Sequence, residues 1–188
     1  MDRRNFLMKA AAGSGLVLLP SILTSCDIVD TSDDKDVTND IKILTSAAEM
    51  EGTAVATYNA AAGLLSAGTL AVAVSFRDHH IQHAETLNNV IAKLGGAKVT
   101  YTTRPTDPNT SRVNTEAKAL ELATYLELQA ARAYFTQVAG SLVTPEAKQV
   151  MADILPAELA HFSLLRSAQS LTAGFGFLSS TPTLTLSF

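Results

Sequence analysis

Glu158-Leu159-Ala160-His161 is the stretch that decides the fold. A helix turns about 100° per residue, so positions three apart share a face. A carboxylate and an imidazole at that spacing can reach one point between packed helices. A related step, His80-Ile81-Gln82-His83, lies earlier in the chain. Two other apolar stretches each carry a lone acid on the same kind of face, Glu51 and Glu127. Charged groups are almost never fully buried unless paired or bound to a metal. The six side chains therefore read together as one metal site inside a helical bundle.

The surrounding pattern supplies the bundle. Leu44, Ala48, Glu51, Val55, Tyr58, Ala62 and Leu65 alternate steps of four and three, which predicts a first helix over about 38–66. Ser66-Ala67-Gly68 makes a short turn, so the next helix runs antiparallel. That second helix, about 69–94, carries the stripe Phe76, His80, His83, Leu87, Val90 and Leu94, and Gly95-Gly96 stops it. Residues 97–114 are rich in Thr, Pro and Asn. Fully extended they reach roughly 60 Å, against about 39 Å for the helix before them, so they can cross the whole bundle. The third helix, about 115–140, carries Leu120, Thr124, Glu127, Ala131, Tyr134 and Val138. Thr144-Pro145-Glu146 opens the fourth with a cap, a proline at the first helical position and an acid in the first turn. Its stripe is Ile154, Glu158, His161, Leu165 and Ala168. Pro156 removes the hydrogen bond to the Ala152 carbonyl and predicts a bend just before Glu158.

The two halves repeat. Glu51 precedes Ala54 by three and Tyr58 by seven; Glu127 precedes Ala130 and Tyr134 by the same steps. Two hairpins related by a pseudo-twofold axis would bring the charged positions to the middle of one core. In this pattern the chain resembles the ferritin-like superfamily, in particular exported ferritin-like domain proteins, over about residues 38–170. The resemblance implies an all-α, ferritin-like four-helix bundle of two antiparallel hairpins, with a long crossover between helices two and three. It also implies Glu on helices one and three and Glu-x-x-His on helices two and four as metal ligands, here Glu51, His80, His83, Glu127, Glu158 and His161. Tyr58 and Tyr134 are expected as core residues hydrogen-bonded to those ligands.

His80 departs from the family pattern, which has Glu there. A neutral imidazole offers one lone pair and does not bridge as a carboxylate does. Two divalent ions bring +4, and Glu51, Glu127 and Glu158 supply −3. One ion, or a hydroxide-bridged pair, is accordingly expected beside the two-ion family arrangement. Carboxylate and imidazole ligands suit iron first and manganese second. His79, about 100° around the helix from His80, reads as a rim residue. Glu49, Glu85, Glu116 and Glu121 fall off the stripes and read as solvated.

The first 25 of the 188 residues resemble a twin-arginine lipoprotein signal peptide. Arg3-Arg4-Asn5-Phe6-Leu7-Met8-Lys9 has the arginine pair, although Asp2 stands where that signal has Ser or Thr, and the lysine comes one residue late. Residues 10–23 are apolar but short for a membrane span. Leu23-Thr24-Ser25-Cys26 looks like a bacterial lipobox. Cys26 is the only cysteine, so an internal disulfide is excluded. Its expected role is lipidation, placing the chain in the cell envelope, on the periplasmic or extracellular side of a bacterial membrane. Residues 26–37 read as an acidic tether and 171–188 as an extended tail. Removing residues 1–25 lowers 14 basic and 18 acidic residues to 11 and 17, a net charge of −6, which argues against nucleic acid as partner. A lipid anchor and tether sit awkwardly on a closed shell, so a monomer or small homo-oligomer is expected rather than a 24-subunit cage. The expected function is non-heme iron or manganese binding with protective oxygen- or peroxide-linked redox or ferroxidase-like activity. The alternative is a non-catalytic envelope module for stress or desiccation, with a degenerate site.

Overall fold

The structure, a computed structural model, describes residues 31–169 and Leu186. The expected signal peptide, Cys26 and, apart from Leu186, the expected tail lie outside the described residues. Four helices carry the fold: α1 (Thr31–Ala61), α2 (Ala67–Lys93), α3 (Glu116–Thr136) and α4 (Pro145–Ala168). There is no strand among the described residues. No helix among them is long and apolar enough to cross a membrane. α1 packs chiefly on α2 and α3 on α4, and the two hairpins meet through α2 with α4 and α1 with α3.

The helix ends follow the punctuation closely. Thr144 caps α4 by accepting from the Ala147 amide, and Thr115 caps α3 by accepting from the Lys118 amide. Gly95 takes φ +88°, and the Gly96 amide returns to the Ile91 carbonyl at 2.8 Å, closing α2 in a left-handed cap. α4 runs unbroken through Pro156.

Three boundaries differ from expectation. α1 ends at Ala61, a short 3-10 turn, Ala62–Leu64, follows, and Ala67 and Gly68, expected in the turn, already belong to α2. α1 begins at Thr31, inside the stretch read as tether. Polarity there argues against a buried face, not against helix, and acidic residues are favoured at a helix N-terminus. α3 ends at Thr136, and a wider π-type turn, Gln137–Ser141, follows. Beyond it the Val143 and Thr144 amides and the Thr144 hydroxyl all donate to the Asp40 carboxylate. Asp40 is fully buried, and it ties the start of α4 to α1.

The crossover is fastened along α1 and α2. Asn88 on α2 holds the Val99 amide and carbonyl with its side chain, at 2.7 and 2.9 Å. Thr57 on α1 accepts from the Asp107 amide at 2.9 Å. Between these ties the chain presses on Gly52, where a Cβ would stand 2.6 Å from the Tyr101 carbonyl oxygen. Gly52→Ala is therefore expected to lower the stability of the metal-free protein by roughly 1–3 kcal/mol, the usual cost of overpacking. Chemical denaturation measures it, and an unchanged midpoint would contradict this close approach.

Apolar packing brackets the centre of the bundle. Towards one end lie Leu44, Leu87, Ile91, Met151 and Ile154; towards the other lie Tyr58, Ala73, Phe76 and Leu165. The polar stripe positions fall between these clusters.

Candidate metal centre

Each helix delivers its share of the six side chains from the face it buries. Glu51 comes from α1, His80 and His83 from α2, Glu127 from α3, and Glu158 and His161 from α4. Five of them are at most 2 % exposed, and the His83 side chain is 13 % exposed. All six converge. The ring of His80 sits between two carboxylates, with Nδ1 2.6 Å from Glu51 Oε2 and Nε2 3.1 Å from Glu127 Oε1. His161 Nδ1 lies 3.1 Å from Glu127 Oε2. His83 Nδ1 lies 2.9 Å from Glu158 Oε1 and 3.6 Å from Glu51 Oε2.

The tyrosines show the repeat in three dimensions. Tyr58, on the helix of Glu51, donates to Glu127; Tyr134, on the helix of Glu127, donates to Glu51. Each hairpin thus steadies the lone acid of the other. The reciprocity breaks at one pair of equivalent positions. His80 bonds both lone acids, whereas Glu158, its counterpart on α4, bonds neither. Both Glu158 oxygens are buried without a hydrogen bond, as is His83 Nδ1. The short His83–Glu158 approach has the distance of an ion pair but not the direction of a hydrogen bond.

The electrostatics follow from this asymmetry. Burial alone would raise the pKa of Glu51, but the facing His80 and contacts from His83 outweigh it and bring it to about 2. Glu127 is likewise held well below the usual range, as His80 and His161 outweigh its burial. Burial, then the charges of Glu51 and Glu127, pushes Glu158 well above the usual range. Burial would lower His80 and His83. The surrounding carboxylates prevail, raising His80 well above its ordinary value and His83 to about 9. Burial and the adjoining glutamates raise both phenols, which stay protonated donors.

A family model for the ferritin-like domain matches residues 39–171. The chain belongs to the ferritin-like domain family. No curated protein and no solved structure matches it. In this ferritin-like domain the buried carboxylates and imidazoles fit a metal site. Ligand atoms of Glu51, His80, His83 and Glu158 lie within 4.8 Å of one another, and so do those of His80, Glu127, Glu158 and His161. A buried carboxylate with no hydrogen bond, facing imidazoles, is the feature a cation would satisfy.

The ferritin-like domain also shows contacts around the cluster. His79, half-buried at the rim, stacks on His161 at 5.1 Å with Nδ1 2.9 Å from His161 Nε2. Phe76 stacks on His161 at 4.1 Å, walling the site on the α2 side. Glu49, Glu85 and Glu116 bond at the surface to Arg104, Tyr101 and Ser66. A cavity of about 310 Å³ between α1 and α3 reaches Glu51 and His80, with Asp107, Tyr125 and Gln129 also on its walls.

Proposed function

We propose that this ferritin-like domain is a membrane-anchored metal protein of the bacterial cell envelope that binds iron, or manganese as second choice. The single observation carrying this reading is Glu158, whose buried oxygens lack any hydrogen bond in a cluster of three carboxylates and three imidazoles. Glu51 and His83 would hold metal on one side, Glu127 and His161 on the other, with Glu158 facing both and His80 at the centre. When bound, iron or manganese supplies one-electron chemistry toward oxygen or peroxide, which suits a protective or ferroxidase-like role. The protein's own part is geometric and electrostatic. Tyr58 and Tyr134 aim the lone acids, Phe76 covers His161, and the cavity beside Glu51 offers small oxidants and cations a way in. Cys26 would carry the lipid anchor outside the membrane's cytoplasmic face.

Elemental analysis with an optical spectrum of the full chain, expressed with iron and manganese available, tests this. The expected result is stoichiometric metal. One observation favours the second reading, a non-catalytic module. Without an ion the cluster can balance itself, with Glu51 and Glu127 negative, His80 and His83 positive and Glu158 protonated. Folded protein carrying neither metal would select that reading.

The same charges predict how metal affinity varies with pH. An ion must displace the His83 proton, held up to about pH 9. Below that pH, affinity for Mn(II) is expected to rise at least about tenfold per pH unit, one factor for each proton released. Above it the His83 contribution levels off. Competition against a chelator at pH 6, 7 and 8 measures this. Flat affinity across that range would place the metal elsewhere.

A further inference from the structure

His80 stands where the resemblance to the ferritin-like pattern implies a carboxylate, and its surroundings suggest what could take over the bridging role. The two nitrogens of an imidazole diverge, each with its own lone pair when deprotonated. Here each nitrogen addresses a different half of the cluster. Nδ1 faces Glu51 at 2.6 Å and Glu158 at 3.9 Å; Nε2 faces Glu127 at 3.1 Å. The rings of His83 and His161 flank it nearly edge-on, at 6.0 and 5.6 Å.

We propose that His80 is a dinucleating ligand, with Nδ1 serving one metal ion beside Glu51 and His83, Nε2 serving a second beside Glu127 and His161, and Glu158 between them. This rests on the metal-binding reading above and sets the number and linkage of the ions. Three observations carry it. The first is that His80 belongs to both candidate ligand groups. The second is spacing. Two donors at about 2.1 Å from one ion and at right angles lie about 3 Å apart. The donor pairs here stand at 2.6, 2.9, 3.1 and 3.6 Å, so ions can enter with small shifts.

The third is charge. Loading both nitrogens displaces the ring protons to solvent and leaves an imidazolate of charge −1. With Glu51, Glu127 and Glu158 the protein then supplies −4 against the +4 of two divalent ions. The deficit created by losing a fourth carboxylate disappears. With two ions, an outer hydrogen-bonding role for His80 leaves a ring nitrogen protonated and restores the +1 deficit; a single ion, +2 against the −3 of three carboxylates, has no such deficit to relieve.

Cobalt(II) provides the test. The full chain is loaded with cobalt(II), its metal content measured, and its solvent-exchangeable, paramagnetically shifted imidazole N–H resonances counted by proton NMR. A histidine bound through one nitrogen keeps one such N–H; a histidine bound through both keeps none. The expected result is two cobalt ions per chain and two exchangeable resonances, from His83 and His161. A third resonance, from a singly bound His80, overturns the proposal. So does one cobalt in the wild type with two in His80→Glu, a result that leaves the metal-binding reading intact. Absence of cobalt from both wild type and His80→Glu overturns that underlying reading instead.

Discussion

Glu158→Gln is expected to abolish metal binding and, in the metal-free state, to make the protein more stable. The two effects have one cause. Glu158 is fully buried, and neither oxygen has a hydrogen bond. Its burial and the nearby charges of Glu51 and Glu127 raise its pKa well above the ordinary range. A folded-state pKa raised for an acid means that unfolding at neutral pH releases a proton, so the folded state loses stability as pH climbs above the unfolded value. Glutamine has the same shape and no titration, so it escapes that loss. The gain should grow by on the order of 1 kcal/mol per pH unit between the ordinary carboxylate pKa and the raised one, and should vanish below the ordinary carboxylate pKa. Thermal melts of chelator-treated wild type and variant at two pH values measure it, alongside metal content. A variant that keeps its metal, or melts lower at pH 7, would show that Glu158 is a structural residue.

Much of this was legible because buried charge is rare. Helix periodicity located the apolar stripes, and an acid or histidine on such a stripe is conspicuous against its background. The Glu51–Tyr58 and Glu127–Tyr134 spacings exposed the repeat, and the short first turn and long crossover then left little freedom of topology. Asp40 was within reach of the same reasoning. It lies four residues before Leu44, on the stripe that continues to Ala48 and Glu51, but a polar residue near a helix start looks like a solvated end. Its partners, the Val143 and Thr144 amides, lie about a hundred residues away, and no local pattern announces them. His79 sits at the rim, as its place off the stripe implies, but its stacking on His161, which arrives from α4, is written in no local pattern. The direction of His80's two nitrogens was equally hidden, because a sequence places a ring on a face without saying how it is turned.

The second carboxylate to test is Glu127, where substitution should have the opposite effect on stability. Glu127 is fully buried and accepts from Tyr58, His80 and His161. Glu127→Ala would leave three donors buried without an acceptor and remove a negative charge facing His80. Breaking a buried pair from one side costs about 3–5 kcal/mol, and for a domain of this size that lowers the melting temperature on the order of 10 °C. Metal should be lost as well. The pH dependence separates this loss from a simple cavity. The pKa of Glu127 is held well below its ordinary value, so its contribution is fully present above that value and fades as pH falls through the folded-state pKa. The gap between wild type and Glu127→Ala should therefore be widest at neutral pH and narrow in acid, whereas a cavity alone would give a gap independent of pH. Two glutamates in one cluster would then both be required for metal while pulling stability in opposite directions. That is the behaviour expected if His80 has taken the partners that Glu158 lacks, and equal destabilisation by Glu127→Ala and Glu158→Gln would contradict it.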